Sequence, residues 1–246
     1  MLFNRINNRL LLTDEGRQLY IKAKKVIKHF NEFENLAEDK VAHPTIVLGC
    51  SLTVSTIYLS KILSDLQTDL PNVNINVVVN NAMIIQNEIL NGRIDIGIIE
   101  GNTIFANISS KLLYQGKMSV GAKTDFNVDG IKTFSDIIKY PLLLREKGSY
   151  SRDYFDSILG LEVKPYIESN SNQTIISCCQ DGIGIAVLPD IMVSKHIEDG
   201  TLKNVYIKGV ELIAPTTVIW HKNRKIKGAF KDVIGIIEKN IKPKMK

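Results

Sequence analysis

The sequence has 246 residues, of which 44% are hydrophobic, 23% are charged and 7% are aromatic, and it carries a formal net charge of +5 at pH 7. This composition is typical of a globular protein, and it excludes disordered and collagen-like chains. Because no apolar run approaches the ~18 residues of a bilayer span and the start lacks a signal-peptide pattern, we expect a cytoplasmic protein without a membrane partner.

The charge is distributed unevenly along the chain. Residues 1–30 carry a net +5 and residues 222–246 a net +7, which leaves −7 for the residues between them. Basic ends suit contact with polyanions, whereas a basic groove through the middle is not indicated. Lysine-rich ends are also common solubility features, so both interpretations of the C-terminal cluster stay open.

The cysteines and histidines indicate neither disulfides nor a metal site. Cys178 and Cys179 are adjacent, and Cys50 is far from both in the chain, so neither a disulfide framework nor a CxxC motif fits. The four histidines are scattered without metal-ligand spacing. We therefore expect no metal and no cofactor.

The first predicted element is a long helix that begins after Thr13. Thr13 is a good N-cap, and Asp14 and Glu15 follow it where the positive end of a helix dipole favours acids. Apolar residues then recur at alternating intervals of four and three, the period of helices that pair. They are Leu19, Ala23, Val26, Phe30, Phe33 and Ala37. An amphipathic helix that lies on its own domain is the alternative, and His43-Pro44 predicts a hinge.

Strands and helices then alternate. Strands are predicted over 45–49, 73–79 and 94–99, and helices over 54–69 and 82–91. This order predicts a mostly parallel sheet with right-handed crossovers. Ligands in open sheets of this kind bind beyond the carboxyl ends of the strands.

The remaining pattern is less regular. Extended segments are predicted over 112–123, 140–145, 163–169, 184–189 and 216–221, and helices over 134–138, 150–159, 172–181 and 226–241. A β-rich unit inserted between two parts of another α/β unit explains the late return to a strand and a helix. The sequence therefore predicts two lobes that are joined by two crossings, with a cleft between them.

No catalytic constellation is recognisable. The sequence has no G-x-S-x-G elbow, no P-loop and no H-E-x-x-H motif. Gly182-Ile183-Gly184 follows a predicted helix and opens a strand, which is the wrong order for a dinucleotide fingerprint, so turn glycines are the better interpretation. We predict that the chain is not an enzyme.

Hydroxyl, amide and charged side chains gather where predicted strands end. They are Ser51, Thr53, Ser55, Thr56, Glu100, Arg145, Glu146, Ser149, Ser169, Asn170, Asn172 and Thr174. Helix starts, hydroxyls and Arg145 favour a small anion, whereas Glu100 and Glu146 favour a ligand that also offers hydrogen-bond donors. Local helix capping is the alternative for each single residue.

Several motifs then resemble one family. Leu2-Phe3-Asn4-Arg5, Arg9 and the segment 12–16 resemble the LF-x-R and LT-x-x-G motifs of LysR-type transcriptional regulators, at the wing and the start of the linker helix. Residues 72–101 and 180–189 resemble the "P-x-V … L-x-x-G-x-x-D-x-x-I" and "G-x-G-x-x-x-L-P" regions of the effector-binding domain. REKGSYSR, at 145–152, is similar to the RE-x-GS-x-x-R segment of one subgroup.

The resemblance implies an α/β fold with a two-lobed, periplasmic-binding-protein-like effector domain after a long dimerisation helix. A wing remnant is expected in 1–13, the linker helix and hinge in 14–43, and the effector-binding domain in 44–246. The expected lobes are 44–118 with 216–246, and 119–215.

The resemblance also implies a set of contacts. Effector contacts are expected at Ser51, Thr53, Glu100, Gly148, Ser149, Asn172, Gln173 and Thr174, and DNA contacts at Arg5 and Arg9. The expected effector is a small anion or carboxylate, and the expected assembly is a homodimer or homotetramer.

One departure concerns DNA. The family's recognition helix precedes the wing, and this sequence starts within the wing, so we expect an N-terminally truncated regulator or a reading frame that starts upstream. A fragment that senses the effector and pairs with full-length relatives is a third hypothesis. Promoter DNA is an expected partner only if the helix-turn-helix is present. The competing class is a stand-alone cytosolic small-molecule-binding protein.

Overall fold

The computed structural model describes residues 1–6, 9–37, 43–207, 209 and 211–241, and at 5, 6, 9, 28 and 31–37 it describes the backbone alone. Parts of the predicted wing, hinge and lobes lie outside the described residues, at 7–8, 38–42, 208, 210 and 242–246. The chain forms two compact units, Met1–Thr45 and Ile46–Lys246.

The first unit is a β-hairpin followed by a helix. Strands β1 (Phe3–Ile6) and β2 (Arg9–Leu12) pair antiparallel, and helix α1 spans Asp14–Ala37. The predicted N-cap is confirmed, because the Gly16 amide donates to Thr13 Oγ1 at 3.0 Å. A Cβ at Gly16 would lie 2.1 Å from the Leu2 carbonyl oxygen, so glycine permits the hairpin to approach the helix.

Helix α1 exposes an apolar stripe within this unit. Val26 is 67% exposed and Phe30 is 56% exposed, and Leu19 on the same seam is 49% exposed. The side chains of Phe33 and Ala37, which continue the predicted seam, lie outside the described part of the chain. The stripe leaves apolar surface that a second helix can cover.

The second unit begins with alternating strands and helices, as predicted. Its first elements are β3 (Thr45–Ser51), α2 (Leu52–Val54), a π-helical turn (Ser55–Leu59), α3 (Ser60–Asp69), β4 (Asn74–Asn80), α4 (Ala82–Leu90) and β5 (Ile96–Glu100). The segments α2, π turn and α3 follow one another without a break, so one helical segment replaces the single α-helix predicted over 54–69.

The later elements include two that the sequence pattern did not predict. They are β6 (Ile108–Lys123), a 3-10 turn (Phe134–Lys139), β7 (Leu142–Arg145), α5 (Tyr150–Leu159), β8 (Ile167–Ser169), α6 (Asn172–Gln180), β9 (Ile185–Pro189), α7 (Asp190–Glu198), β10 (Leu202–Asn204), β11 (Ile213–His221) and α8 (Ala229–Asn240). Helix α7 and strand β10 are the unpredicted pair. Pro189 occupies the N-cap of α7, so the proline begins a helix there as well as ending a strand.

The sheet of the second unit is mixed. Its order is β4-β3-β5-β11-β6-β9-β7-β8, with β10 beside β6. Strands β3 and β5 are parallel, as are β7 and β9, but β11 runs antiparallel to both β5 and β6. The expectation of a mostly parallel sheet therefore holds within each lobe. It is wrong at the centre of the sheet, where β6 and β11 run antiparallel to each other and to their neighbours β9 and β5.

Two sets of apolar clusters fill the second unit. We call the half built on β3, β4, β5 and β11 lobe I and the half built on β7, β8, β9 and β10 lobe II; β6 belongs to both. In lobe I, α3 and α8 cover one face of the sheet through Ile62 and Val233, and α4 covers the other through Ile85. In lobe II, Phe155 and Ile175 lie in separate clusters.

Lobe II also contains a buried arginine. Arg152 is 2% exposed, and its guanidinium donates to Asp156 and Glu168 at 2.8 Å each. It also donates to the carbonyls of Arg145 at 3.3 Å and Val163 at 2.8 Å. Arg152 thereby fixes α5 against the end of β7.

We predict that Arg152→Met lowers the free energy of unfolding by about 3–5 kcal/mol, because it leaves buried acceptors without a donor. Arg93→Met is the matched control, since Arg93 pairs with Glu88 at 2.8 Å but is 43% exposed, and it should cost less than about 1 kcal/mol. Urea unfolding of the three proteins measures both values. Equal costs for the two variants would contradict the structural role of Arg152.

Candidate functional site

Polar side chains from both lobes meet where the parallel strands end. In lobe I, Ser51 ends β3 and Glu100 ends β5, which is parallel to β3. In lobe II, Arg145 ends β7, and Asn172 begins α6. Because the carboxyl ends of parallel strands share an edge of the sheet, each lobe presents its polar residues at one edge.

A chain of hydrogen bonds joins the two lobes. Arg145 Nη1 donates to Asn172 Oδ1 at 2.5 Å, and Asn172 Nδ2 donates to Thr53 Oγ1 at 3.2 Å. Thr53 also acts on the Glu100 carboxyl, because its hydroxyl favours the ionised form. We call these four residues the interlobe relay. They hold the lobes in contact through buried polar groups.

The cation of the relay is already paired within lobe II. Arg145 is 2% exposed, and its Nε and Nη2 atoms donate to the two carboxylate oxygens of Glu146 at 2.9 and 3.2 Å. Glu146 therefore balances the positive charge of Arg145 locally.

Ser51 ties the strands of lobe I together. It is buried, and its Oγ accepts a hydrogen bond from the backbone amide of Glu100 at 3.1 Å. Ser51 is also the N-cap residue of α2, but its side chain makes no capping hydrogen bond. Its hydroxyl therefore fixes the backbone of Glu100, the last residue of β5, in this structure.

Glu100 is the buried acid of the site. It is 6% exposed, and loss of hydration raises the pKa of its carboxyl from 4.5 to about 7, although Thr53 and Arg145 act in the opposite direction. Within the part of the chain that the structure describes, Oε1 of Glu100 has no hydrogen-bond partner. The carboxyl therefore sits close to its titration point at neutral pH, with one oxygen unsatisfied.

Two glycines allow the lobes to come this close. Gly101 has φ +96°, and a Cβ there would lie 2.3 Å from Cδ2 of Tyr150 in lobe II. Gly148 has φ +85°, and its carbonyl accepts from the Met83 amide at 3.1 Å across the lobes. Any larger residue at Gly101 would push Tyr150 away and open the contact.

A cleft of about 370 Å³ lies beside the relay. Its lining combines apolar side chains with polar and charged ones, among them Thr53, Glu100 and Thr216. The complete lining is Thr53, Val54, Ile57, Tyr58, Glu100, Tyr114, Gln115, Gly116, Lys117, Pro189, Asp190, Ile191, Ser194, Glu198, Ala214 and Thr216. It draws on both lobes and on the central strands β6 and β11.

The eight predicted effector contacts occupy different places. Thr53 and Glu100 line the cleft, while Ser51 and Asn172 are buried beside it in the polar network. Ser149 is buried, and its hydroxyl donates locally to the Glu146 carbonyl at 2.8 Å. The three others are Gly148, at the Met83 contact, and Gln173 and Thr174, which are exposed on α6.

The predicted DNA contacts lie in the first unit. Arg5 belongs to β1 and pairs with Leu10, while Arg9 belongs to β2 and pairs with Ile6. The structure describes only the backbone at both arginines, so their side chains are outside the described part of the chain.

The sequence analysis missed several residues of the cleft. Tyr58 lies one helical turn beyond Val54, so the helical period after Thr53 is a signal that points to it. Pro189 belongs to the G-x-G-x-x-x-L-P motif, which marks its strand but not its place in the lining. Asp190 and Ser194 stand on the unpredicted helix α7, and no sequence signal indicated them.

These groups suit non-covalent binding of a small molecule. Hydroxyl, carboxyl and main-chain groups offer directional hydrogen bonds, and the apolar walls exclude water around them. Among the residues described, no group of three or more His, Cys, Asp or Glu side chains is placed to hold a metal ion. No helix in the described ranges has both the length and the apolar character that crossing a membrane requires.

We predict that Glu100→Gln stabilises the protein in a pH-dependent way. Since burial raises the folded-state pKa of Glu100 above its ordinary value, the wild type loses stability as the pH rises from 4.5 to about 7. The variant should gain up to about 3 kcal/mol relative to wild type at pH 8 and little at pH 5. Urea unfolding across this range measures the difference, and a difference independent of pH would contradict the burial of a titrating carboxyl.

Comparison with known proteins identifies the second unit. The family model described as the LysR substrate binding domain matches residues 40–242. The chain is 27% identical over 235 residues to the HTH-type transcriptional regulator YeiE of Escherichia coli K12, which covers 94% of this chain and 79% of YeiE. It is 26% identical over 218 residues to CysL of Bacillus subtilis, which covers 86% of this chain and 73% of CysL.

Solved structures share the fold. A full-length OxyR variant from Pseudomonas aeruginosa superposes with a TM-score of 0.66 at 20% identity, covering 98% of this chain and 84% of that one. The regulatory domain of CcmR from Synechocystis, in complex with 2-PG, gives a TM-score of 0.69 at 16% identity, covering 82% of this chain and 99% of that domain.

The fold is therefore the two-lobed, periplasmic-binding-protein-like α/β fold of LysR effector domains, as the sequence motifs indicated. The curated relatives are transcriptional regulators. Because the substrate-binding model matches most of the residues, from 40 to 242, the chain belongs to the family of LysR-type transcriptional regulators.

Proposed function

We propose that the cleft between the lobes binds the small-molecule effector of this regulator and that the interlobe relay reports its presence. The observation that carries the proposal is the direct hydrogen bond between Thr53 of lobe I and Asn172 of lobe II, beside a cleft that Thr53 also lines. A ligand that binds one arrangement of the lobes more tightly than another shifts the population toward it.

We infer that Thr53 and Glu100 contact the effector directly, because both line the cleft. Ser51 and Asn172 support these two through hydrogen bonds. The other predicted contacts, at Gly148, Ser149, Gln173 and Thr174, stay predictions, because these residues do not line the cleft in this structure. The sequence analysis proposes a small anion or a carboxylate as effector. The hydroxyls of Ser51 and Thr53 near the start of α2 support this class.

We propose that pairing and DNA contact belong to the first part of the chain. The proposed segments are a wing in 1–13 and a linker helix and hinge in 14–43, followed by lobes in 44–118 with 216–246 and in 119–215. Pairing through α1 gives a homodimer or homotetramer. Arg5 and Arg9 would contact phosphates, which position a protein without choosing a sequence. A regulator of promoters acts in the cytoplasm, where we place this chain.

We predict that Thr53→Ala weakens effector binding by about 1 kcal/mol or more for each lost hydrogen bond. A thermal-shift screen of sulfate, phosphate, malonate and benzoate on the wild type selects the ligands, and the same screen on the variant measures the loss. The matched control is Thr68→Ala, since Thr68 is exposed on α3 and bonds only its own helix at Ser64. Equal shifts in wild type and Thr53→Ala would remove Thr53 from the site.

We predict that α1 pairs subunits through its apolar stripe. The wild type should be at least dimeric by light scattering at tens of micromolar, and Val26→Glu should weaken this association at least 10-fold because it buries a charge in the seam. Gln18→Glu is the control, since Gln18 is exposed beside the seam rather than on it. A strictly monomeric wild type would contradict pairing.

A further inference from the structure

We propose that the effector presents a hydrogen-bond donor, specifically a protonated amine, to the carboxylate of Glu100. This inference rests on the proposed function of the cleft and adds an amine to the anion or carboxylate proposed there. It concerns the part of the ligand that lies at Glu100, whose cross-strand neighbour Thr216 also lines the cleft.

One oxygen of the Glu100 carboxyl is unsatisfied. Oε1 is buried, and among the described residues it has no hydrogen-bond partner, although Glu100 lines the cleft. A buried carboxylate oxygen without a partner is costly, and a donor from a bound ligand removes that cost. An anion placed at the same point would add repulsion instead.

Arg145 does not supply the missing donor. Each of its three guanidinium nitrogens already donates, two of them to Glu146 and one to Asn172. Because Glu146 binds the guanidinium with both carboxylate oxygens, Arg145 acts on Glu100 only through its charge, and that effect is smaller than the effect of burial.

The lining also carries charged side chains. Glu100 and Asp190 are acidic, and Lys117 is basic. Lys117 pairs with Glu211, outside the lining, at 2.9 Å. The cleft therefore has an excess of negative charge when its acids are ionised, and that excess attracts a cation.

Apolar side chains form much of the wall of the cleft. Val54, Ile57 and Tyr58 line one side through α2 and the π-helical turn, and Pro189 and Ile191 line another at the start of α7. A volume of about 370 Å³ suits a small molecule with a hydrocarbon or aromatic body. An amino acid with an apolar side chain matches both the apolar wall and the Glu100 carboxyl, and its carboxylate is compatible with the Thr53 hydroxyl, which also lines the cleft.

Calorimetric titration of the full chain tests the inference with matched probes. One set is isopentylamine, L-leucine and 4-methylpentanoate, and the other is phenethylamine, L-phenylalanine and 3-phenylpropanoate, with sulfate as the inorganic anion. At pH 8, where Glu100 is ionised, at least one amine-bearing member of a set should bind at least 10-fold more tightly than the acid that lacks the amine. Glu100→Gln should weaken that binding at least 10-fold and should not weaken binding of the acid.

Glu238→Gln is the control variant. Glu238 lies on α8, away from the cleft, and pairs with Lys111 of β6. This change should leave every affinity unaltered. If 4-methylpentanoate, 3-phenylpropanoate or sulfate binds the wild type at least as tightly as the amines do, the amine class is wrong while the proposed function stands. If no probe binds, the amine class is again wrong, and the anion screen on Thr53→Ala decides the proposed function. The affinities of the wild type for the amines and for the matched acids decide the amine class by themselves, so the test does not depend on the folding of Glu100→Gln.

Discussion

The burial of the Glu100 carboxyl at the junction of two lobes is the constraint on which the site depends. A carboxyl that is 6% exposed requires hydrogen bonds or protonation, and Thr53 of lobe I favours its ionised form. Thr53 is held in turn by Asn172 of lobe II, and Asn172 by Arg145. Each member of the interlobe relay is thus oriented by the next. A change in lobe arrangement must alter the environment of Glu100, because the bond between Thr53 and Asn172 crosses from one lobe to the other.

The central strands limit how the lobes move. Strand β6 runs through both lobes, pairing with β11 on one side along 108–117 and with β9 along 118–121. The register between β6 and β11 shifts at Thr216/Thr217, and Thr216 is the cross-strand partner of Glu100 on β5. Irregularities of this kind often accompany functional sites because they re-aim side chains. The continuous sheet joins the lobes through β6, so any change in their arrangement must pass through its hydrogen bonds to β9 and β11.

Much of the fold follows from patterns that are local in the sequence. The cap at Thr13, the strand before Ser51 and the helix after Asn172 are fixed by hydrogen bonding and apolar period, and the structure contains all three. The antiparallel centre of the sheet was not predictable, because the pairing of β5 with β11 depends on residues more than 110 positions apart. The same division applies to the residues of the site. The rule about strand ends selects Ser51, Thr53 and Glu100, but the exposure of Gln173 and the hydrogen bond between Arg145 and Asn172 depend on packing between distant segments.

The energetics of the relay explain how a small ligand can act on the whole effector domain. A buried hydrogen bond such as that between Thr53 and Asn172 contributes about 1 kcal/mol net, and the unsatisfied oxygen of Glu100 costs a comparable or larger amount. The two terms oppose each other in the arrangement that the structure shows. A ligand that satisfies Glu100 shifts the population by its differential affinity for the lobe arrangements, and a few kcal/mol of such difference invert a pair of states that are close in energy.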